Sequence, residues 1–246
     1  MTHLVFGGSS GIGSAVISEL LTDSVDIVNI DLNPHPSIFL ADNWVGDLTD
    51  DVFLLDILSR IDQLSTISSV LWSVRFRHHI QNSSVNLLNE AFNVELFPLV
   101  NLIESLHDRI ITESPSFAIV SSIASSYVSA QHFSYNIIKS SLESFVRSCA
   151  VKYGEASSAR FNIISPGVVF IPGRSDQIPL TDQKVALQRS SIPRQSPVHV
   201  SELAKLIVFI LSSQSSSLNG ANIIADGGES LLDQYFVAQR VLNFSS

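Results

Sequence analysis

Short runs of apolar and β-branched residues alternate along this chain with longer stretches in which apolar side chains recur at helical spacing. His3 to Phe6, Asp26 to Ile30, Ser69 to Trp72, Phe117 to Ser121, Phe161 to Ile164 and Ala221 to Ile224 read as strands. Their largely apolar character predicts burial on both faces of a sheet. Between them, Ile12 to Leu21, Val52 to Ile61, Val85 to Leu106, Tyr135 to Tyr153 and Val200 to Leu211 have the length and period of helices. This alternation predicts an α/β fold, a Rossmann-like doubly wound parallel sheet.

One connection breaks the rhythm. Residues 166–197 carry Pro166, Pro172, Gly173, Pro179, Pro193 and Pro197, and a long irregular segment in a compact domain reads as a substrate lid. Residues 229–246 form a C-terminal extension, in which Ser230 to Asn243 has the apolar spacing of a terminal helix that packs on the domain or on a neighbour. The remaining pattern has no repeat or linker, and 246 residues with 45% hydrophobic content suit a single domain over residues 1–246.

Composition narrows the classes of function. A net charge of -9 with only 15% charged residues argues against a nucleic-acid surface, which needs clustered Lys and Arg, and against acidic lipid. No apolar run approaches the ~18 residues of a membrane span, and Leu4 to Phe6 is too short for a signal segment. Cys149 is the single cysteine, so no intrachain disulfide forms. Its helical, apolar setting reads as a buried structural thiol, and a cytoplasmic protein is expected.

The candidate chemistry begins at the first strand, which runs into glycines 7, 11 and 13 just where a helix starts. Such a turn, with Ser9, Ser10 and Ile12 between the glycines, brings backbone close to a phosphate and aims unpaired helix N–H groups at it. Asp31 ends the second strand eighteen residues after Gly13, followed by Leu32. Its carboxylate can accept from ribose hydroxyls and repels a 2'-phosphate, and no Arg or Lys precedes Arg60 to offset that repulsion. The expected cofactor is therefore NAD; a solvated turn residue before Asn33 and Pro34 is the plain alternative for Asp31. Asp47 and Leu48 either bracket an adenine edge or form an ordinary turn. Further along, Tyr135 stands thirteen residues after Ser122 and one helical turn before Lys139. An ammonium beside a phenol can make it a usable acid or base, since an ordinary tyrosine titrates near 10.

In order along the chain, these residues resemble the short-chain dehydrogenase/reductase superfamily, and the resemblance runs from Leu4 to Gly228. Gly7, Gly11 and Gly13 match its glycine turn, Asp31 its NAD-selecting acid and Asp47 its adenine-contacting acid. Ser122, Tyr135 and Lys139 match its catalytic serine, tyrosine and lysine. Pro166 and Gly167 match the turn beside the nicotinamide, and Asp226 to Gly228 the C-terminal signature. The resemblance implies that Tyr135 exchanges a proton with the substrate, Lys139 binds the nicotinamide ribose, and Ser122 hydrogen-bonds the substrate oxygen.

The pattern also breaks. Trp72-Ser73-Val74-Arg75 occupies the place of the family's Asn-Asn-Ala-Gly segment, and Ile171 that of a carboxamide-contacting threonine. Glu95 falls where the family has a catalytic asparagine that holds a relay water through its backbone. Glu95 can do likewise or pair with Lys139, and Asn93 substitutes if the register shifts by two. Arg75, Arg77, His78 and His79 form a local cationic group near the expected rim. They read either as a recognition site for a substrate carboxylate or phosphate or as a solvated loop. His78 and His79 lack companions at ligand spacing, so no metal is expected. Arg174, Arg189 and Arg194 read as ordinary loop charges.

The resulting expectation is an NAD-dependent oxidoreductase that interconverts a secondary alcohol and a ketone on a small-molecule substrate. The Val85 to Leu106 and Tyr135 to Tyr153 helices resemble surfaces that make relatives homodimers or homotetramers. Two alternatives stay open: a nucleotide-binding regulatory or structural subunit with little turnover, and a redox-neutral dehydratase or epimerase that recycles bound NAD.

Overall fold

The computed structural model describes residues 1–21, 25–37, 39–76, 85–127, 133–173, 187 and 189–242. Seven parallel strands form the central sheet: β1 (Thr2–Phe6), β2 (Asp26–Asp31), β3 (Asp42–Val45), β4 (Ile67–Trp72), β5 (Ser116–Val120), β6 (Arg160–Pro166) and β9 (Asn222–Ala225). Their order is β3-β2-β1-β4-β5-β6-β9. The chain winds outward from β1 in one direction and then from β4 in the other, so the crevice between the C-terminal ends of β1 and β4 is the switch point where such sheets bind ligands.

Side chains on successive strand residues go to opposite faces, and the core is accordingly split in two. Leu4, Phe6, Val28, Ile30, Val70, Trp72, Phe117, Ile119, Phe161 and Ile163 face one side, where α2 (Asp51–Asp62), α4 (Phe97–Ser105) and α6 (Phe133–Gly154) cover them. Val5, Ile27, Leu71, Ala118, Val120 and Ile164 face the other, beneath α1 (Gly11–Leu20) and α7 (Val200–Leu211). Burial on both faces is the reason the strands read as apolar runs rather than as alternating ones.

Several local expectations are corrected. The single helix expected from Val85 to Leu106 is two, α3 (Val85–Glu95) and α4, followed by α5 (His107–Glu113). Pro98 has no N–H for the Val94 carbonyl, and Leu96 takes up the break as the residue that opens α4. β3 is an added strand; Asp42-Asn43-Trp44-Val45 is half polar and carries no run to read, yet it pairs with β2 from Val28 to Asp31. Within residues 166–197, the described part holds β7 (Val169–Phe170), which pairs with β8 (Val198–His199), while residues 174–186 and 188 lie outside the described residues. The terminal helix α8 spans Gln234–Leu242 and starts after Asp233, whose carboxylate accepts from the N–H groups of Tyr235 and Phe236. No residue of α8 is buried. Among the described residues, no helix is long and apolar enough to cross a membrane.

Candidate functional site

At the end of β1 the backbone turns through Gly7 at φ +79°. A Cβ there would lie 2.7 Å from the Ser73 carbonyl oxygen, and one on Gly13 would lie 2.2 Å from the Gly7 oxygen, so both positions require glycine. Ser10 opens α1 without a side-chain cap, so among the described residues the first-turn N–H groups of α1 take no acceptor from the N-cap side chain. The β1–α1 turn thus has the backbone form that accepts a pyrophosphate. Asp31 sits beside it, accepting from the Ser9 N–H at 2.9 Å and from the Asn33 N–H at 3.4 Å, while Leu32 is exposed. The Ser9 hydroxyl accepts from Asn29 at 3.0 Å and donates to the Asn33 carbonyl. Asp47 closes a turn by accepting from the N–H and hydroxyl of Thr49, and Leu48 is a core side chain.

His35 adds a group without a sequence signal. Its Nδ1 accepts from the Ser37 N–H at 3.1 Å, which leaves the proton on Nε2 to donate to Ser14 of α1 at 3.0 Å. Burial holds this imidazole below its usual pKa, against the opposing pull of Asp31.

The residues expected to transfer the proton lie on the adjoining elements. Ser122 follows β5, caps a short 3-10 turn (Ile123–Ser125) by accepting from the Ala124 N–H at 3.2 Å, and lies 3.5 Å from the Pro166 carbonyl oxygen. Asn136 and Ser140 of α6 donate to the carbonyls of Ala124 and Ser125, at 2.5 and 2.6 Å, and so stitch the tyrosine helix to the serine segment. On α6, Tyr135 is half-buried and Lys139 buried, with the ammonium 5.7 Å from the phenol ring centroid. One turn further, the buried Glu143 accepts from Ser121 and Ser165 at 3.0 Å each. These serines directly precede Ser122 and Pro166, so one carboxylate braces both walls of the site. Glu143 continues the i, i+4 series from Tyr135 and Lys139, a spacing that marks it on the same face.

Glu95 resolves the break in the asparagine position. Its carboxylate is fully buried and lies 2.7 Å from the Lys139 ammonium; Asn93 is exposed. The other carboxylate oxygen accepts from the Phe76 N–H at 2.9 Å, and the Glu95 carbonyl accepts from the Trp72 indole at 2.9 Å. The replaced segment Trp72 to Arg75 and the replaced asparagine therefore form one linked unit. Arg75 extends from it with its guanidinium carbon 5.4 Å from the Tyr135 ring centroid. Arg77, His78 and His79 lie outside the described residues, as does Arg174.

The far wall holds Pro166 and Gly167. Glu229 accepts from the Val168 N–H at 3.2 Å and packs where a Gly167 Cβ would fall, 2.5 Å away. Burial raises the Glu229 carboxyl, and Asp226 adds to the rise against the Val168 hydrogen bond. Asp226 closes its turn by accepting from the N–H groups of Gly228 and Ser230. Ile171 is half-buried. Cys149 is buried in α6, its thiol pushed up to about 11 by burial against the pull of Lys152. Among the described residues, no group of three or more His, Cys, Asp or Glu stands together as a metal site.

The family model described as enoyl-(acyl carrier protein) reductase matches residues 47–230. The chain is 22% identical over 242 residues to the uncharacterized oxidoreductase YhxC of Bacillus subtilis (strain 168), covering 92% of this chain and 84% of the relative. Among solved structures it is similar to 4-hydroxyisoleucine dehydrogenase complexed with NADH, with a TM-score of 0.85 at 18% identity over 94% of this chain and 99% of the other. It is also similar to ElxO with NADP bound, with a TM-score of 0.83 at 17% identity over 94% and 99%.

Proposed function

The chain belongs to the short-chain dehydrogenase/reductase superfamily, a family of oxidoreductases, and we propose that it is an NAD-dependent member that interconverts a secondary alcohol and a ketone. The observation that carries this reading is the α6 arrangement, with Lys139 5.7 Å from the ring of Tyr135 and the helix tied through Asn136 and Ser140 to the segment of Ser122.

The residues present fit a dinucleotide. The backbone of Gly7, Ser9, Ser10, Gly11, Ile12 and Gly13 would hold the pyrophosphate, Asp31 and Leu32 the adenosine ribose, and Asp47 and Leu48 the adenine edge. Pro166, Gly167, Tyr135 and Lys139 would border the nicotinamide end. When bound, NAD supplies the hydride acceptor that the alcohol carbon needs. Similar folds carry either NADH or NADP, so the choice of NAD rests on Asp31: a carboxylate beside the ribose repels a 2'-phosphate, and the chain before Arg60 has no cation to offset it.

In the oxidising direction Tyr135 takes the hydroxyl proton while Ser122 donates a hydrogen bond to the same oxygen, which orients it. Lys139 places a positive charge beside the phenol, and Glu95 keeps that ammonium in place. A cytoplasmic homo-oligomer acting on a small molecule belongs to the same proposal.

The test follows nicotinamide absorbance over a panel of secondary alcohols and ketones with both cofactors. Turnover with NAD exceeding that with NADP is expected, and Tyr135→Phe lowers kcat by about 10²- to 10⁴-fold, the usual contribution of a positioned acid/base. Silence across the panel, equal for wild type and Tyr135→Phe, removes the reading. The Glu95–Lys139 pair favours one rival, a nucleotide-binding subunit with little turnover, because the ammonium already has a partner at 2.7 Å. Calorimetric NAD binding without any redox turnover would support that rival.

A further inference from the structure

Two cations border the Tyr135 ring, and they differ in whether a protein anion answers them. Lys139 is buried and satisfied, held by the Glu95 carboxylate at 2.7 Å and the Val120 carbonyl at 3.3 Å. Arg75 is exposed, and among the described residues it makes no hydrogen bond or ion pair; its contact is the face of the Tyr135 ring at 5.4 Å. Among the described residues its five N–H donors therefore have no acceptor, and they stand over the ring whose hydroxyl would exchange the substrate proton.

The backbone presenting Arg75 is tied down on both sides. Ser73 donates its N–H to the Phe6 carbonyl at 2.9 Å, and Phe76 donates its N–H to the buried Glu95 carboxylate at 2.9 Å. Stacking on the ring limits where the guanidinium can go, so the fork is largely oriented before a ligand arrives. In a chain of net charge -9, a cation over the Tyr135 ring with no acidic partner among the described residues is a local exception to the overall field.

We propose that Arg75 binds a carboxylate of the substrate, and that the substrate is a short 2- or 3-hydroxy acid or the matching oxo acid. A planar guanidinium fork matches a carboxylate with two parallel hydrogen bonds. The guanidinium carbon lies 5.4 Å from the centroid of the ring whose hydroxyl would exchange the proton, so a substrate that reaches both has only a short spacer between its carboxylate and its reacting carbon. Hydride transfer at that carbon and proton exchange at its oxygen leave the carboxylate unchanged. This proposal rests on the oxidoreductase reading above.

The experiment compares reduction of 2-oxobutanoate and acetoacetate with reduction of their methyl esters, using NADH and the full chain, for wild type, Arg75→Gln and Arg75→Lys. Thermal melts establish that each variant is folded. The wild type is expected to prefer acid over ester in kcat/KM by roughly 30-fold or more, the scale of charge-assisted hydrogen bonds. Arg75→Gln removes that preference chiefly through KM for the acid, and Arg75→Lys, which lacks the fork, restores only part of it. An acid-to-ester ratio that Arg75→Gln leaves unchanged overturns the proposal, as does a wild-type preference for the esters. Calorimetry of butanoate and butanamide with the NADH-loaded protein separates the two readings. Arg75-dependent butanoate binding without turnover of any ketone sinks the oxidoreductase and keeps the anion site. Turnover of neutral ketones without Arg75-dependent butanoate binding does the reverse.

Discussion

At the scale of single residues, the site is organised by the buried Glu95 carboxylate and its partner. Removing one member of a buried ion pair leaves the other charge unanswered in a poorly solvated setting, at a cost of about 3–5 kcal/mol. Glu95→Gln is expected to lower unfolding free energy on that scale, and Glu95→Gln with Lys139→Met to recover part of it; urea unfolding curves measure both. A loss below about 1 kcal/mol would mean that water reaches the pair. His35 makes a different prediction. Its folded pKa is depressed by burial, so the folded state disfavours the protonated ring relative to the unfolded chain, where His titrates near 6.5. The stability it supports is full above about pH 6.5 and is lost as pH falls toward the folded value. Melting temperature should therefore fall more steeply as pH drops below about 6.5 in wild type than in His35→Gln; parallel curves would exclude His35 as the titrating group. Protonation at Nδ1 would also displace the Ser37 N–H, next to the Asp31 loop.

At the scale of elements, the turn between β1 and α1 is set by contact between backbone segments. Gly13 fits only because no Cβ stands 2.2 Å from the Gly7 oxygen, so Gly13→Ala must open the turn. NAD affinity is expected to fall at least about tenfold, or ~1.4 kcal/mol, in a titration that follows nicotinamide fluorescence, and unchanged affinity would detach the turn from the cofactor. The helices show how far local pattern reaches. α1, α2, α6 and α7 were legible from their period, and α6 carries Tyr135 and Lys139 where the spacing predicts them. The expected helix from Val85 to Leu106 breaks at Leu96 because Pro98 withholds a hydrogen bond, a break that the apolar period did not reveal. β3 was not legible because pairing with β2, rather than its own half-polar residues, makes it a strand.

At the scale of the molecule, the two-faced core holds these elements in register with one another. Phe117 and Phe161 stack across β5 and β6 at 4.3 Å, and Tyr153 of α6 lies on Phe161 at 5.4 Å. The helix bearing Tyr135 and Lys139 is thus seated on the sheet through aromatic contacts at its far end. Phe161→Ala is expected to cost about 3–5 kcal/mol, the range for emptying a buried aromatic site. A single cooperative urea transition, read by both circular dichroism and tryptophan fluorescence, would show that the sheet and α6 unfold together. Two separate transitions would show that α6 is seated independently.

What the sequence determined by itself was the material of the fold and of the candidate site: apolar runs that must be covered on both faces, glycines where backbone passes close to backbone, and a phenol one helical turn from an ammonium. These follow from covalent spacing and local sterics, which do not depend on distant residues. What only the tertiary structure decided was which charges meet. The sequence left Glu95 between a relay role and a pairing with Lys139, and left Arg75 between recognition and a solvated loop. Folding brings Glu95 to Lys139 across forty-four residues and leaves Arg75 on the ring of Tyr135 without an anion among the described residues. Electrostatic pairing depends on distance and burial in space, and neither is encoded in the separation of residues along the chain.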